Sequence, residues 1–272
     1  MADPNVDVAT VERSMRAVVA IRQVVHAIWA VSRAQLPLVD QAASAAVTYQ
    51  RWIDATVHRV AGAPLPTEAA RRLTVVFGPE RPYSSALARR IVDSLPDGDL
   101  GVVGERLAEA VRQRPDVDRR VLFRCSGSVA HDDLHEVALS VATHILEHGR
   151  GARVAVMHPV HGGADTALVP LISARGPVDR PPETFSPLER IVEAAVVSAM
   201  TGRLAVAAAE ALRAEVRARI AAADAARHAC EDRLAELESA WQFGRRETIT
   251  RELLEIVAGG EAASSFAEAG EV

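Results

Sequence analysis

The sequence predicts two long helices, one at each end of the chain, paired antiparallel as a coiled coil, with a small α/β domain inserted between them. Three observations carry this. Residues 11–61 hold no glycine and one proline. Residues 188–258 hold no proline and only two glycines. Between these runs, short β-branched stretches alternate with helical ones.

In the first helix, apolar residues fall at Val11, Met15, Val18, Ile21, Val24, Ile28 and Val31, in steps of three and four. That is a helix stripe, not the alternation of a strand. Pro37 is expected to kink or interrupt the helix near Gln35–Leu36, because its ring removes one backbone donor. Gly62-Ala-Pro-Leu-Pro66 then ends it.

In the middle, strands are expected at Leu73–Phe77, Leu100–Val103, Val121–Phe123, Arg153–Met157 and Ala167–Ile172, and helices at Ser84–Ser94, Glu105–Gln113 and Asp132–Glu147. Strands separated by helices of this length imply βαβ units and a mostly parallel, Rossmann-like sheet. Gly176–Pro182, with three prolines, reads as a linker.

The second helical run extends from Ser186 to Ala258. A continuous helix of that length would reach roughly 100 Å, too long to bury in a compact domain of this size. It therefore calls for a partner. Its Ala-rich part, Ala205–Ala229, allows close approach, and Leu234, Leu237, Trp241, Ile249, Leu253 and Ile256 keep a coiled-coil stripe. With Val18, Val24 and Val31 of the first helix, these form the expected coiled-coil core. The boundaries read as 1–62, 63–182 and 183–260, and the small, acidic stretch 261–272 is expected to be disordered.

Composition narrows the function classes. The chain has 272 residues, 49% hydrophobic and 25% charged, with a net charge of −5. These globular values argue against pervasive disorder, and the acidic balance argues against nucleic acid as a partner. All 31 basic residues are arginine. Two cysteines, Cys125 and Cys230, form no framework. The opening MADPNVDV lacks the basic start and apolar run of a secretory leader. No stretch approaches 18 uncharged apolar residues, so no membrane span is expected. The expectation is a soluble intracellular protein.

The end of the second helix is the most telling segment: Trp241-Gln-Phe-Gly-Arg245-Arg-Glu-Thr-Ile249-Thr250-Arg-Glu252-Leu-Leu-Glu255-Ile-Val-Ala-Gly259. It closely resembles the C-terminal signature of the rotary gamma subunit of F-type ATP synthases: Asn, Arg-Gln, Ile-Thr, Glu-Leu, Glu-Ile and a terminal Gly. Arg245, Ile249, Thr250, Glu252 and Glu255 fall on matching positions. Glu215 and Arg219 match a Glu-x-x-x-Arg pair of the same helix. LTVVFGPERPYSSALA at 73–88, DLGVVG at 99–104 and RVAVMHPVHGGADTALVPLI at 153–172 resemble the family's strands and loops. Gln242 stands for the family's Asn, Arg246 for its Gln, and Pro82-Tyr-Ser-Ser85 for its Gly-Leu-Cys-Gly loop. Gln23 and His26 replace two lysines. The pattern resembles a divergent gamma of the N-ATPase type.

The resemblance implies a central-stalk rotor with no catalytic site and no cofactor of its own. It would turn inside the alternating alpha and beta subunits, dock on the epsilon subunit and the membrane c-ring, and couple proton or sodium flow to ATP synthesis or hydrolysis. Its place would be peripheral, on the cytoplasmic face of a bacterial inner membrane. Arg219, Arg245, Arg246, Thr250, Glu252 and Ile28 would be the contacts with the catalytic ring.

A second reading stands beside it: a free-standing α/β enzyme with helical dimerisation arms, metal-assisted through His131 and His135. His131-Asp-Asp-Leu-His135 would set two imidazoles on one helix face, and His144 and His148 repeat the spacing. The third ligand is missing from the pattern, and solvated positions on an amphipathic helix explain it as well. Gly98, Gly101 and Gly104 lack the order of a dinucleotide loop, no Walker loop occurs, and Cys125-Ser-Gly-Ser128 lacks a nucleophile elbow.

Overall fold

The computed structural model describes residues 8–62, 64–65, 71–171, 174–175, 183 and 185–269. The chain packs as two compact units, Met1–Ile28 with Ala223–Val272, and Trp29–Ala222. Helix α1 runs Val8–Ala61 and helix α6 Leu188–Ala269. The first elements between them are β1 (Pro64–Leu65), β2 (Arg71–Phe77), α2 (Ser85–Asp93), β3 (Asp99–Val103) and α3 (Glu105–Arg112). There follow α4 (Pro115–Asp118), β4 (Val121–Cys125), α5 (Leu134–His148), β5 (Ala152–Val160), β6 (Asp165–Pro170) and β7 (Ala174–Arg175).

Helix α1 is organised by two rows of seven-residue steps. One row comprises Val11, Val18, Val25, Ser32, Val39, Ala46, Ile53 and Val60, and the other Met15, Trp29, Leu36, Ala43, Gln50 and Val57; all of these are buried or half-buried, and the exposed Arg22 interrupts the second row. Seven-residue spacing of this kind is the a/d pattern of a helix face that packs against another element. It corrects two expected core positions. Val24 and Val31 are 56% and 52% exposed, and their neighbours Val25 and Ser32 point inward instead. Steps of three taken twice, from Val18 through Ile21 to Val24, average less than 3.5 and walk off the seam.

Of the kink or interruption expected at Pro37, the interruption does not occur: α1 is one helix from Val8 to Ala61 with Pro37 inside it. Proline deletes one donor and crowds one carbonyl, but Val39, Ala43 and their row hold the turns on both sides against other elements.

Helix α6 has the matching row: Gly202, Ala209, Val216, Ala223, Cys230, Leu237 and Gly244, all buried. Leu234 and Leu237 are both buried. From Arg245 to Ala258 no described residue is buried. Ile249, Leu253 and Ile256, expected in the core, are exposed along with Leu254 and Val257. The tail from Glu261 is helical as far as Ala269, and residues 270–272 and the linker 176–182 lie outside the described residues. Each long helix contains an 18-residue window apolar enough to cross a membrane by length and composition, with mean hydropathy 1.2 and 1.6. In α6 the apolar content has a use inside the protein: Leu204, Ala207, Ala208 and Ala211 are buried in the core below.

The five-stranded sheet has the order β4-β3-β2-β5-β6. Pairs β3–β4, β2–β3 and β2–β5 are parallel and β5–β6 is antiparallel. In β2, Leu73, Val75 and Phe77 enter one core with α5, α1 and α6, while Val76 enters the other with α2 and α3. That two-way burial explains its continuous apolar run. A two-residue ribbon pairs β1 with β7, Pro64 opposite Arg175. It joins the chain where it leaves α1 to where it approaches α6.

Candidate functional site

Two regions of the chain concentrate its polar chemistry. The first lies in the unit formed by residues 1–28 and 223–272. Trp241 of α6 is half-buried, and its indole N–H donates to Glu12 Oε1 of α1 at 3.0 Å. Arg245, one turn further, lies over the Trp241 ring with its guanidinium carbon 5.0 Å from the centroid. A groove of about 560 Å³ is lined by Glu12, Met15, Arg16, Glu238, Trp241 and Gln242. Beyond it, Arg246, Thr250 and Glu252 are exposed, and the Thr250 hydroxyl donates to the Arg246 carbonyl at 2.8 Å. The apolar residues from Ile249 to Val257 alternate with these charges on a bare helix. On a soluble surface such a strip marks a binding face.

The second region lies within residues 29–222, where the loop after β2 meets α6. Glu215 is 1% exposed, and its Oε2 accepts the backbone N–H of Glu80 at 2.6 Å and of Arg81 at 3.2 Å. Burial pushes this carboxyl above its ordinary range, opposed by the two N–H bonds and by the charge of Arg219. Arg219 is itself only 8% exposed, beside Glu215, Arg81 and Tyr83. Arg219, expected among the contacts with the catalytic ring, thus packs beside the loop after β2 within its own unit. Ile28, at the edge of the first unit, is half-buried.

Other polar contacts tie α6 to α1 in the same unit. Arg203 reaches Asp54 at 2.6 Å and the Leu171 carbonyl at 2.6 Å, and Arg217 reaches Asp40 at 2.9 Å. His158, on β5, is buried, and burial lowers its pKa, with Glu210 and Arg213 of α6 nearby.

The histidine cluster does not assemble as the second reading required. His131 lies in the bend before α5, not on the helix, and both His131 and His135 are exposed. Asp133 explains the bend: its Oδ2 accepts the N–H of Val129 at 2.8 Å and of Ala130 at 3.2 Å. His144 and His148 instead stack on Phe123, with centroids 5.2 and 5.6 Å away. Among the described residues, no three His, Cys, Asp or Glu side chains converge as metal ligands.

In sequence order, the α/β elements lie between two long helices, and the second of these helices ends in a stretch with no buried residue from Arg245 to Ala258. The chain matches the model of the ATP synthase family over residues 7–263. It is similar to a rotor chain of the Euglena gracilis mitochondrial ATP synthase, with a TM-score of 0.65 and 15% identity, covering 89% of this chain and 98% of that one. A chain of the Euglena OSCP/F1/c-ring assembly gives 0.68 and 17%, covering 94% of each. A central stalk/c-ring chain of the Tetrahymena thermophila mitochondrial enzyme gives 0.50 and 13%, covering 75% and 99%. No curated protein sequence matches. The chain belongs to the F-type ATP synthase gamma family, and it is a central-stalk subunit of that complex.

Proposed function

We propose that this chain is the rotor that couples ion flow through a membrane c-ring to ATP synthesis or hydrolysis on beta subunits, and that it contributes no catalytic group. In this reading α1 and α6 form an antiparallel coiled coil around a Rossmann-like insertion. The order of contacts supports the pairing: Asp40 meets Arg217 while Asp54 meets Arg203, and separately Glu12 meets Trp241. The observation that carries the function is the bare end of α6. Ile249, Leu253, Leu254, Ile256 and Val257 are exposed on a helix that no described element of this chain covers. An exposed apolar strip of this kind marks a face that a partner covers.

The sleeve is the ring of alternating alpha and beta subunits. Arg245, Arg246, Thr250, Glu252 and Ile28 are its contacts; arginines against acidic loops give charge-assisted bonds that break and re-form as the rotor turns. The α/β domain and the nearby ends of the two long helices dock on epsilon and the c-ring. The protein sits peripherally on the cytoplasmic face of a bacterial membrane, and the transported ion, proton or sodium, is chosen in the ring.

Co-expression with the alpha and beta subunits of the same genome tests the reading. The expected product holds one copy of this chain per three beta subunits and hydrolyses ATP cooperatively only when the chain is present. Failure to associate, or hydrolysis indifferent to the chain, would overturn it.

A further inference from the structure

The carboxyl ends of β2, β3 and β4 are where a sheet of this type ordinarily receives an anionic ligand. Here the chain's own carboxylates take that position. Glu80 Oε2 accepts the N–H of Glu105, at the start of α3, at 2.8 Å, and the N–H of Gly127, in the loop after β4, at 2.7 Å. From the other side, Glu215 of α6 accepts the N–H groups of Glu80 and Arg81. The loop 78–84 is thus bound to α3, to the β4 loop and to α6 through two side chains.

The surroundings allow little slack. Gly104 has φ of 113°, and a Cβ there would lie 2.6 Å from the Gly78 carbonyl oxygen, so the strand ends pack backbone to backbone. Tyr83 holds a φ of 69°, a conformation that persists only where neighbours over-determine it. The Ser84 hydroxyl closes the turn on the Arg81 carbonyl at 2.5 Å. Glu215 Oε1 and Arg219 Nε and Nη1 are buried without hydrogen-bond partners, which leaves Oε2 as the one oxygen of Glu215 that makes hydrogen bonds.

We propose that Glu215 is the clamp that fixes the 78–84 loop, and with it the α/β domain, to α6, so that domain and helix turn as one body. The apolar contacts beside it, such as Leu212 and Val216 in the core shared with the sheet, are non-directional and would permit α6 to slip about its own axis. Two bonds from fixed N–H groups to one buried carboxylate are directional, and rotating α6 would strand that carboxylate away from them. The inference rests on the rotor reading for its purpose, though not for its geometry.

Two measurements test it. In the purified full chain, amide hydrogen exchange is followed in wild type, Glu215→Gln and Glu215→Ala. The Glu80 and Arg81 amides are expected to exchange roughly tenfold or more faster in Glu215→Ala, with Glu215→Gln between, while Val75 and Val76 of β2 stay protected and report an intact sheet. Unchanged protection of Glu80 and Arg81 would overturn the clamp. In the complete complex in vesicles, Glu215→Ala is expected to retain ATP hydrolysis and lose at least half of the ions moved per ATP, with partial rescue by Glu215→Gln. Loosened amides with an unchanged ratio would overturn its role in rotation. If wild type itself fails to join alpha and beta subunits, the rotor reading fails and the purpose assigned to Glu215 falls with it, while the exchange result still decides the contact.

Discussion

Trp241 and Glu12 join the two long helices by a 3.0 Å hydrogen bond from the indole N–H to the carboxylate, and Arg245 caps the same ring. This group stands where the buried row of α6 reaches its last buried member, Gly244. It is the last anchor before the helix runs bare.

Trp241→Phe keeps a ring for Arg245 and removes the donor, so it is expected to cost about 1 kcal/mol. Trp241→Ala removes the ring as well and is expected to cost more and to raise amide exchange in residues 241–248. Equal effects of the two substitutions would show that the ring contributes nothing there.

Leu204 is fully buried and Leu253 is 58% exposed, although both are leucines of the same helix. Leu204→Ala is expected to destabilise the isolated chain by about 2–5 kcal/mol in urea unfolding. Leu253→Ala is expected to change that stability by less than ~0.5 kcal/mol, and to weaken assembly with the catalytic ring. The opposite ranking would mean that the end of α6 folds back on its own chain.

Glu215 and His158 give opposite pH dependences. The Glu215 carboxyl is raised by burial, so the folded chain holds its proton more tightly than the unfolded chain. Its contribution is fully present below the ordinary carboxylate value of 4.5 and is lost as pH climbs through the folded value. His158 is lowered by burial, so its contribution is present above the ordinary 6.5 and is lost as pH falls through the folded value. His158→Asn is therefore expected to flatten the loss of stability on the acid side, read by urea midpoints from pH 5 to pH 8. An acid limb unchanged in that variant would assign it to other groups.

The Cys125 thiol is pushed up to about 11, first by burial and then by the nearby Glu80 charge, from an ordinary 9.0. In a Cys230→Ala background, alkylation at pH 8 is expected to be on the order of 100-fold slower than for a free cysteine. Glu80→Gln should speed it, by removing the charge and loosening the loop. A fast reaction in the parent chain would contradict the burial of this strand end.

Much of the fold was legible because periodicity is a local property. The Leu73–Phe77 run reads as a strand of a mostly parallel sheet, and the structure places Leu73 and Val76 in opposite cores. Leu234 and Leu237 are buried, while Val24 and Val31 are exposed, because α1 carries apolar residues on more than one face. Ser32, fully buried by its place in the row, gives no hydropathy signal at all. The ribbon of β1 and β7 is two residues per strand, too short for any pattern.

By itself, the chain of residues determined the helix–α/β–helix order, the strand and helix periods, and the signature at Arg245–Glu255 that places it in its family. These depend on spacing along the chain. Only the tertiary structure decided which side of each helix is covered. Arg219 and Arg245 read alike as arginines on one helix, yet one is buried beside Glu215 and the other lies open over Trp241. The difference is what stands opposite: the loop after β2 folds against the first, and no element of the described chain reaches past the second. Burial is a relation between elements, and it is fixed only when they pack.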